Sequence, residues 1–115
     1  MAVLAQLPPG IKVVGMKSMP VTVPAGGYQL VNQVLELAPG AKIANHTHGG
    51  PVVVTVISGQ VTIKDAAGSH VLTAGQSATE QKGYVHAASN TGASPARLAV
   101  SYLIPNGAKL TTMAK

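Results

Sequence analysis

Short apolar runs alternate with polar positions along most of the chain, and Gly, Pro and Asn stand between the runs. A period of two in segments rich in Val, Ile, Leu and Thr predicts strands rather than helices. The pattern places strands at 11–16, 20–23, 28–37, 41–46, 52–58, 60–65, 70–72, 77–81, 85–88 and 97–104. No apolar period of 3.6 persists over three turns with a cap. Many short strands at short spacing predict an all-β sandwich or barrel. Gly59-Gln60 reads as a tight hairpin joining 52–58 to the next strand,. Asp65-Ala66-Ala67-Gly68 reads as a second hairpin, and Pro39-Gly40 as a turn pair,. Residues 1–10 and 105–115 lack clear alternation and read as a terminal arm and a loose tail.

Length and composition narrow this picture. The 115 residues make one domain, 1–115, long enough for one core,. Cysteine is absent, which excludes disulfides, thiolate nucleophiles and cysteine-based zinc sites,. The net charge of +5 comes from eight scattered basic residues set against Glu36, Asp65 and Glu80. With no basic run and no aromatic interleaving, nucleic acid is not an expected partner. No apolar stretch approaches the roughly 20 residues that span a bilayer, so no membrane partner is expected either. The first seven residues lack the basic start of a signal peptide, and the cytoplasm is the default location, with export left open,.

Chemistry concentrates in the histidines. His46 ends the predicted strand 41–46 and His48 stands two residues on; where the extended chain continues, positions two apart project both imidazoles from one face,. His86 lies on another predicted strand. The surrounding residues are Gly40, His46, His48 and Gly59 in the first stretch, and Gly75, Gly83, His86 and Asn90 in the second. These spacings resemble the two motifs of the cupin family, at about 40–59 and 75–90. The resemblance implies a single cupin β-barrel, a double-stranded β-helix of jelly-roll type. It also implies one divalent transition metal, whether Fe, Mn, Ni, Cu or Zn, held by His46, His48 and His86.

Two positions depart from the family pattern. Val52 stands where the first motif carries a glutamate ligand, and Gln81 where the second carries proline. Of the three carboxylates, Asp65 sits in a turn and Glu36 before one. Glu80 shares a strand face with Ala78, the face better suited to the interior. Glu80 is therefore the candidate replacement carboxylate, as a metal ligand or as a group orienting a histidine or metal-bound water. It is also the candidate proton acceptor in catalysis. His70 reads as a surface residue, Asn90 as a bonder of local backbone, and Tyr84 and Tyr102 as residues within reach of the cavity mouth. Val52, Val54 and Val56, with Leu35, Leu37, Leu98 and Val100, are expected to line an aliphatic cavity suited to a small organic ligand.

No nucleophile elbow or phosphate loop competes with this site. The expected function is a small metalloenzyme acting on a small organic substrate, with dioxygenase-like oxidoreductase chemistry favoured over isomerase or lyase chemistry. A non-catalytic ligand-binding, metal-binding or sensing barrel is the alternative. Outward Val53 and Ile57, with the N-terminal arm, suggest a homodimer contact.

Overall fold

The computed structural model describes residues 7–114. Among them the regular elements are all strands: β1 (Tyr28–Leu37), β2 (Lys42–His48), β3 (Val52–Ser58), β4 (Gln60–Asp65), β5 (Gly68–Thr73), β6 (Ser77–Glu80), β7 (His86–Ser89), β8 (Ala96–Pro105) and β9 (Thr111–Met113). They form two antiparallel sheets, ordered β1-β8-β3-β6 and β5-β4-β7-β2-β9.

Alternation decides which side chains face between the sheets. On β8, Ala96, Leu98, Val100, Tyr102 and Ile104 are buried while the residues between them are not. Val52, Val54 and Val56 of β3 and Val61 and Ile63 of β4 complete the aliphatic core. Each such side chain contributes roughly 1.5–3 kcal/mol by leaving water. The outer face carries polar groups, including the cross-strand pair Glu36–Arg97, whose side chains are both more than half exposed. An exposed pair of this kind contributes at most about 1 kcal/mol.

Three expectations are corrected. Residues 11–16 and 20–23 form no strands. Their main chain has no neighbouring strand to pair with, Pro20 lacks a donor, and Val14 and Met16 are 84% and 65% exposed. Residues 1–6 of the predicted arm lie outside the described residues. Gly59 is not a hairpin tip: β3 and β4 belong to different sheets, and the chain turns a corner between them. That corner needs glycine, because φ is +75° and a Cβ would press within 2.7 Å of the Pro95 carbonyl oxygen,. The predicted tail is not loose, since Thr111–Met113 forms β9 along the free edge of β2. The Asp65–Gly68 hairpin is present, with Asp65 pairing Gly68 and its carboxylate accepting from the Ala67 amide.

Candidate metal centre

The first two histidines owe their common face to strand geometry, and their depth to an irregularity. The β2–β7 register shifts by one residue between Ile43 and His46. Without that bulge, Ile43 and His46, three apart, would point to opposite faces. With it, both line the same cavity. His48 follows two residues later, and His86 pairs directly with His46 across the strands. The motif glycines Gly40, Gly59, Gly75 and Gly83 all have positive φ, so the turns around these strands are the ones the motif spacing implies. The Gly83 amide donates to the His48 carbonyl, tying the second motif to the first.

All three imidazoles are buried, at 4%, 7% and 5% exposure for His46, His48 and His86. Their ligand nitrogens lie within 4.8 Å of one another. Each Nδ1 faces a main-chain carbonyl: Ala44 at 2.8 Å for His46, Leu110 at 2.9 Å for His48, and Tyr84 at 3.0 Å for His86. A carbonyl only accepts, so each Nδ1 carries the ring's proton and each neutral ring presents a bare Nε2. The Nε2 atoms of His48 and His86 are 3.1 Å apart. Two lone pairs at that distance repel unless a cation lies between them. Burial lowers the His48 pKa to about 4 and also lowers that of His46, which disfavours a second proton on either of these two rings,. Two nitrogens bound at right angles to one transition ion, about 2.1 Å from it, stand about 3 Å apart. The donor set therefore fits a divalent transition metal.

Glu80 sits directly across from Val52 in the β3–β6 register. It is 4% exposed and lines the cavity. Its Oε2 is 3.6 Å from His86 Nδ1 and has no hydrogen-bond partner. The carboxylate thus lies against the protonated side of the His86 ring, away from the three converging Nε2 atoms. Burial raises its pKa to about 7, with Asp65 adding to the shift and His70 opposing it.

The cavity has a volume of about 110 Å³. Its polar end holds the three histidines, Glu80, Tyr102, Gln33 and Thr111, and its walls are aliphatic, including Leu35, Val52, Val54, Leu98 and Val100. Val56 and Leu37 are buried in the core outside the cavity lining, whereas the cavity expectation included them. Tyr102 packs edge-on against His48 and donates its hydroxyl to Gln33 Oε1 at 2.9 Å. Tyr84, at 37% exposure, is not among the lining residues. His70 is largely exposed, 3.6 Å from Asp65. Asn90 reaches farther than local backbone: its Oδ1 accepts from the Gly92 amide, and its Nδ2 donates to the Ser94 carbonyl and also to the Leu37 carbonyl, fastening the end of β1.

Sequence reasoning missed Gln33 and the Leu110–Thr111 contribution. Gln33 was legible as the polar residue on the face that also carries Val31, Leu35 and Leu37. Leu110 and Thr111 carried no such signal, because β9 is three residues long.

Residues 33–102 match the family described as the cupin domain. No curated protein matches the chain. Among solved structures, a conserved protein with a double-stranded β-helix domain from Klebsiella pneumoniae is 33% identical, with 75% of each chain covered and a TM-score of 0.62. A sugar phosphate isomerase of the cupin superfamily from Silicibacter pomeroyi is 27% identical, covering 64% of this chain and 49% of that one, at a TM-score of 0.58. A recombinant oxalate oxidase in complex with glycolate is 19% identical, covering 73% and 45%, at a TM-score of 0.64, a likeness of fold.

Proposed function

The chain belongs to the cupin domain family, and we propose that it is a metal-dependent enzyme acting on a small organic molecule, with dioxygenase-like oxidoreductase chemistry at a three-histidine centre. The observation that supports this most is the clustering of three buried imidazoles whose ligand nitrogens lie within 4.8 Å of one another while each Nδ1 is engaged by a main-chain carbonyl. His46, His48 and His86 are the ligands in this reading, and Fe, Mn, Ni, Cu and Zn all suit imidazole donors. A bound ion of this kind supplies Lewis acidity and, where it is redox-active, electron exchange with substrate or dioxygen.

The remaining chemistry falls to the chain's own groups. Glu80 is the proton acceptor in this reading, because it is the one carboxylate among the residues that line the cavity,. Tyr102, held by Gln33, orients the polar end of the substrate beside His48. The valine and leucine walls take its apolar part and exclude water. A cavity of about 150 Å³ holds benzene, so one of 110 Å³ limits the enclosed part of a ligand to fewer heavy atoms than benzene has,. No Lys or Arg lines the cavity. A phosphate group would therefore meet no protein counter-charge, which weighs against sugar phosphate isomerisation here.

Elemental analysis of protein purified without added metal, with His86→Ala as control, tests the centre. Near-stoichiometric metal lost in the variant supports it, and metal-free protein with full turnover overturns it. A substrate panel of small oxygen-bearing molecules, followed by oxygen consumption, separates an enzyme from a binding or sensing barrel.

The reading extends to a homodimer. Ile11, Val13, Val14 and Met16 of the segment that follows the arm, and Leu30, Val34 and Ile57 of the β1-β8-β3-β6 sheet, are all at least half exposed. A second copy of the chain is the partner that would cover this surface. No helix among the described residues is long and apolar enough to cross a membrane.

A further inference from the structure

The three histidines are not held alike. His46 and His86 each donate Nδ1–H to the carbonyl two residues earlier on their own segments, Ala44 and Tyr84. Those bonds are local to each histidine's own segment. His48 instead donates to the Leu110 carbonyl, 62 residues later, and its Nδ1 is also 3.2 Å from Thr111 Oγ1. Its orientation therefore depends on whether β9 is docked on β2.

Leu110, just before β9, packs against the core, but β9 itself has little else to hold it. It is three residues long, its side chains are exposed, and it is the outer edge of its sheet, paired only to β2 through His46–Met113, Thr47–Thr112 and His48–Thr111. The Ala114 amide donates to the Asn45 carbonyl, which makes Asn45–Ala114 a hydrogen-bonded pair. Such pairs alternate along an antiparallel ladder, so Thr47–Thr112 is the next one and the Thr112 amide points at β2. Gly49 lets the tail approach, since a Cβ there would strike the Lys109 carbonyl. Thr111 also lines the cavity.

We infer that the C-terminal strand is a latch on the metal centre: docked, Leu110 and Thr111 fix the tautomer and ring orientation of His48, and released, they leave a two-histidine site that lets the ion go. Leu110 and Thr111 are positioning residues in this scheme, acting through His48. The inference rests on the reading of the cluster as a metal centre. Groups that orient ligand histidines are typically worth about 10–100-fold in metal affinity.

Three full-length variants test it, each checked by circular dichroism and read by competition titration with Zn²⁺ and Co²⁺. Thr112→Pro removes the amide that pairs β9 to β2 and is expected to weaken binding about 10–100-fold with a proportionally faster loss of ion to chelator. Thr111→Val is expected to weaken it several-fold, and Thr111→Ser to restore it to within about twofold of the parent. Long-range ¹H–¹⁵N spectra of the metal-free proteins give a second readout. In Thr112→Pro the His48 ring alone should lose its Nδ1–H tautomer, while His46 and His86 keep theirs. A folded Thr112→Pro protein with parental affinity and an unchanged His48 signal overturns the latch, as does an equal change at all three rings. If Thr112→Pro does not fold, parental affinity and spectrum in Thr111→Val overturn it. If the parent itself binds neither ion, the metal reading fails, while the tautomer spectra still decide whether β9 holds His48.

Discussion

The two ends of this barrel core are made from the same strands but differ in what they bury. At one end β1, β3 and β8 contribute Leu37, Val56 and Ala96, which need only to be apolar and of the right volume,. At the other end β2, β6, β7 and β8 bring in His46, His48, Glu80, His86 and Tyr102, four of them ionisable within ordinary pH and all at most 7% exposed. Burying such groups costs stability unless they find partners. Most do, in the Ala44, Leu110 and Tyr84 carbonyls and in Gln33. Glu80 Oε2 and the facing Nε2 lone pairs do not. One end maintains the fold, and the other holds a chemical potential that the fold alone leaves unsatisfied.

The largest expected break in this contrast comes from removing a ligand. His48→Ala should abolish stoichiometric metal, by more than about a hundredfold in affinity, beyond what loss of an orienting group alone costs. Elemental analysis and a metal titration check this, and the thermal midpoint of the metal-free variant should stay near the parent's. The mirror experiment is Val56→Ala. It deletes two buried methylene equivalents and should cost about 2–3 kcal/mol in denaturant unfolding, with metal affinity unchanged.

Glu80→Gln sharpens the comparison through pH. The folded-state pKa of Glu80 is raised from 4.5 to about 7. Its contribution to stability is therefore full below pH 4.5 and lost as pH rises through 7. His48 works in the other direction: with its pKa lowered to about 4, its contribution is present above 6.5 and lost as pH falls toward 4. The two oppose each other between pH 4.5 and 6.5, so the cleanest reading is at pH 8, where His48 is neutral folded and unfolded. There the metal-free variant should gain on the order of 1–3 kcal/mol, roughly 5–10 °C in melting temperature. At pH 4 the gain should vanish. An equal gain at both pH values would remove the buried carboxylate as its cause.

The smallest effect on the barrel itself should come from the segment between the arm and β1. Val14→Asp with Met16→Asp lies on exposed positions and should change unfolding free energy by no more than about 0.5 kcal/mol,. Light scattering should show the parent at twice the 11.6 kDa chain mass and the variant at that mass. A monomeric parent sinks the dimer.

The alternation on β3 and β8, the His-x-His spacing and the motif glycines were legible in the sequence, because each is a local rule: period two, one face, one turn. Those rules identified the barrel and the three histidines. Where a rule needs a partner strand, the sequence was silent or misleading. Residues 11–16 alternate well enough to read as a strand yet pair with nothing, while Thr111–Met113 is too short to register yet completes a sheet. Gly59 reads locally as a hairpin tip, although only closure of two sheets shows it as a corner.

Glu80 shows the same division. The sequence by itself determined that Val52 leaves the first motif without its carboxylate and that Glu80 shares the face of Ala78. Only the tertiary structure decided that the two positions are cross-strand neighbours and that the carboxylate lies on the Nδ1 side of His86. Likewise the sequence set His46, His48 and His86 on strands, but the bulge after Ile43 and the docking of β9 decided how their nitrogens converge. The reason is physical. Side-chain direction along one strand follows from the backbone period, whereas register between strands and the partner of a ring nitrogen follow from contacts made tens of residues apart.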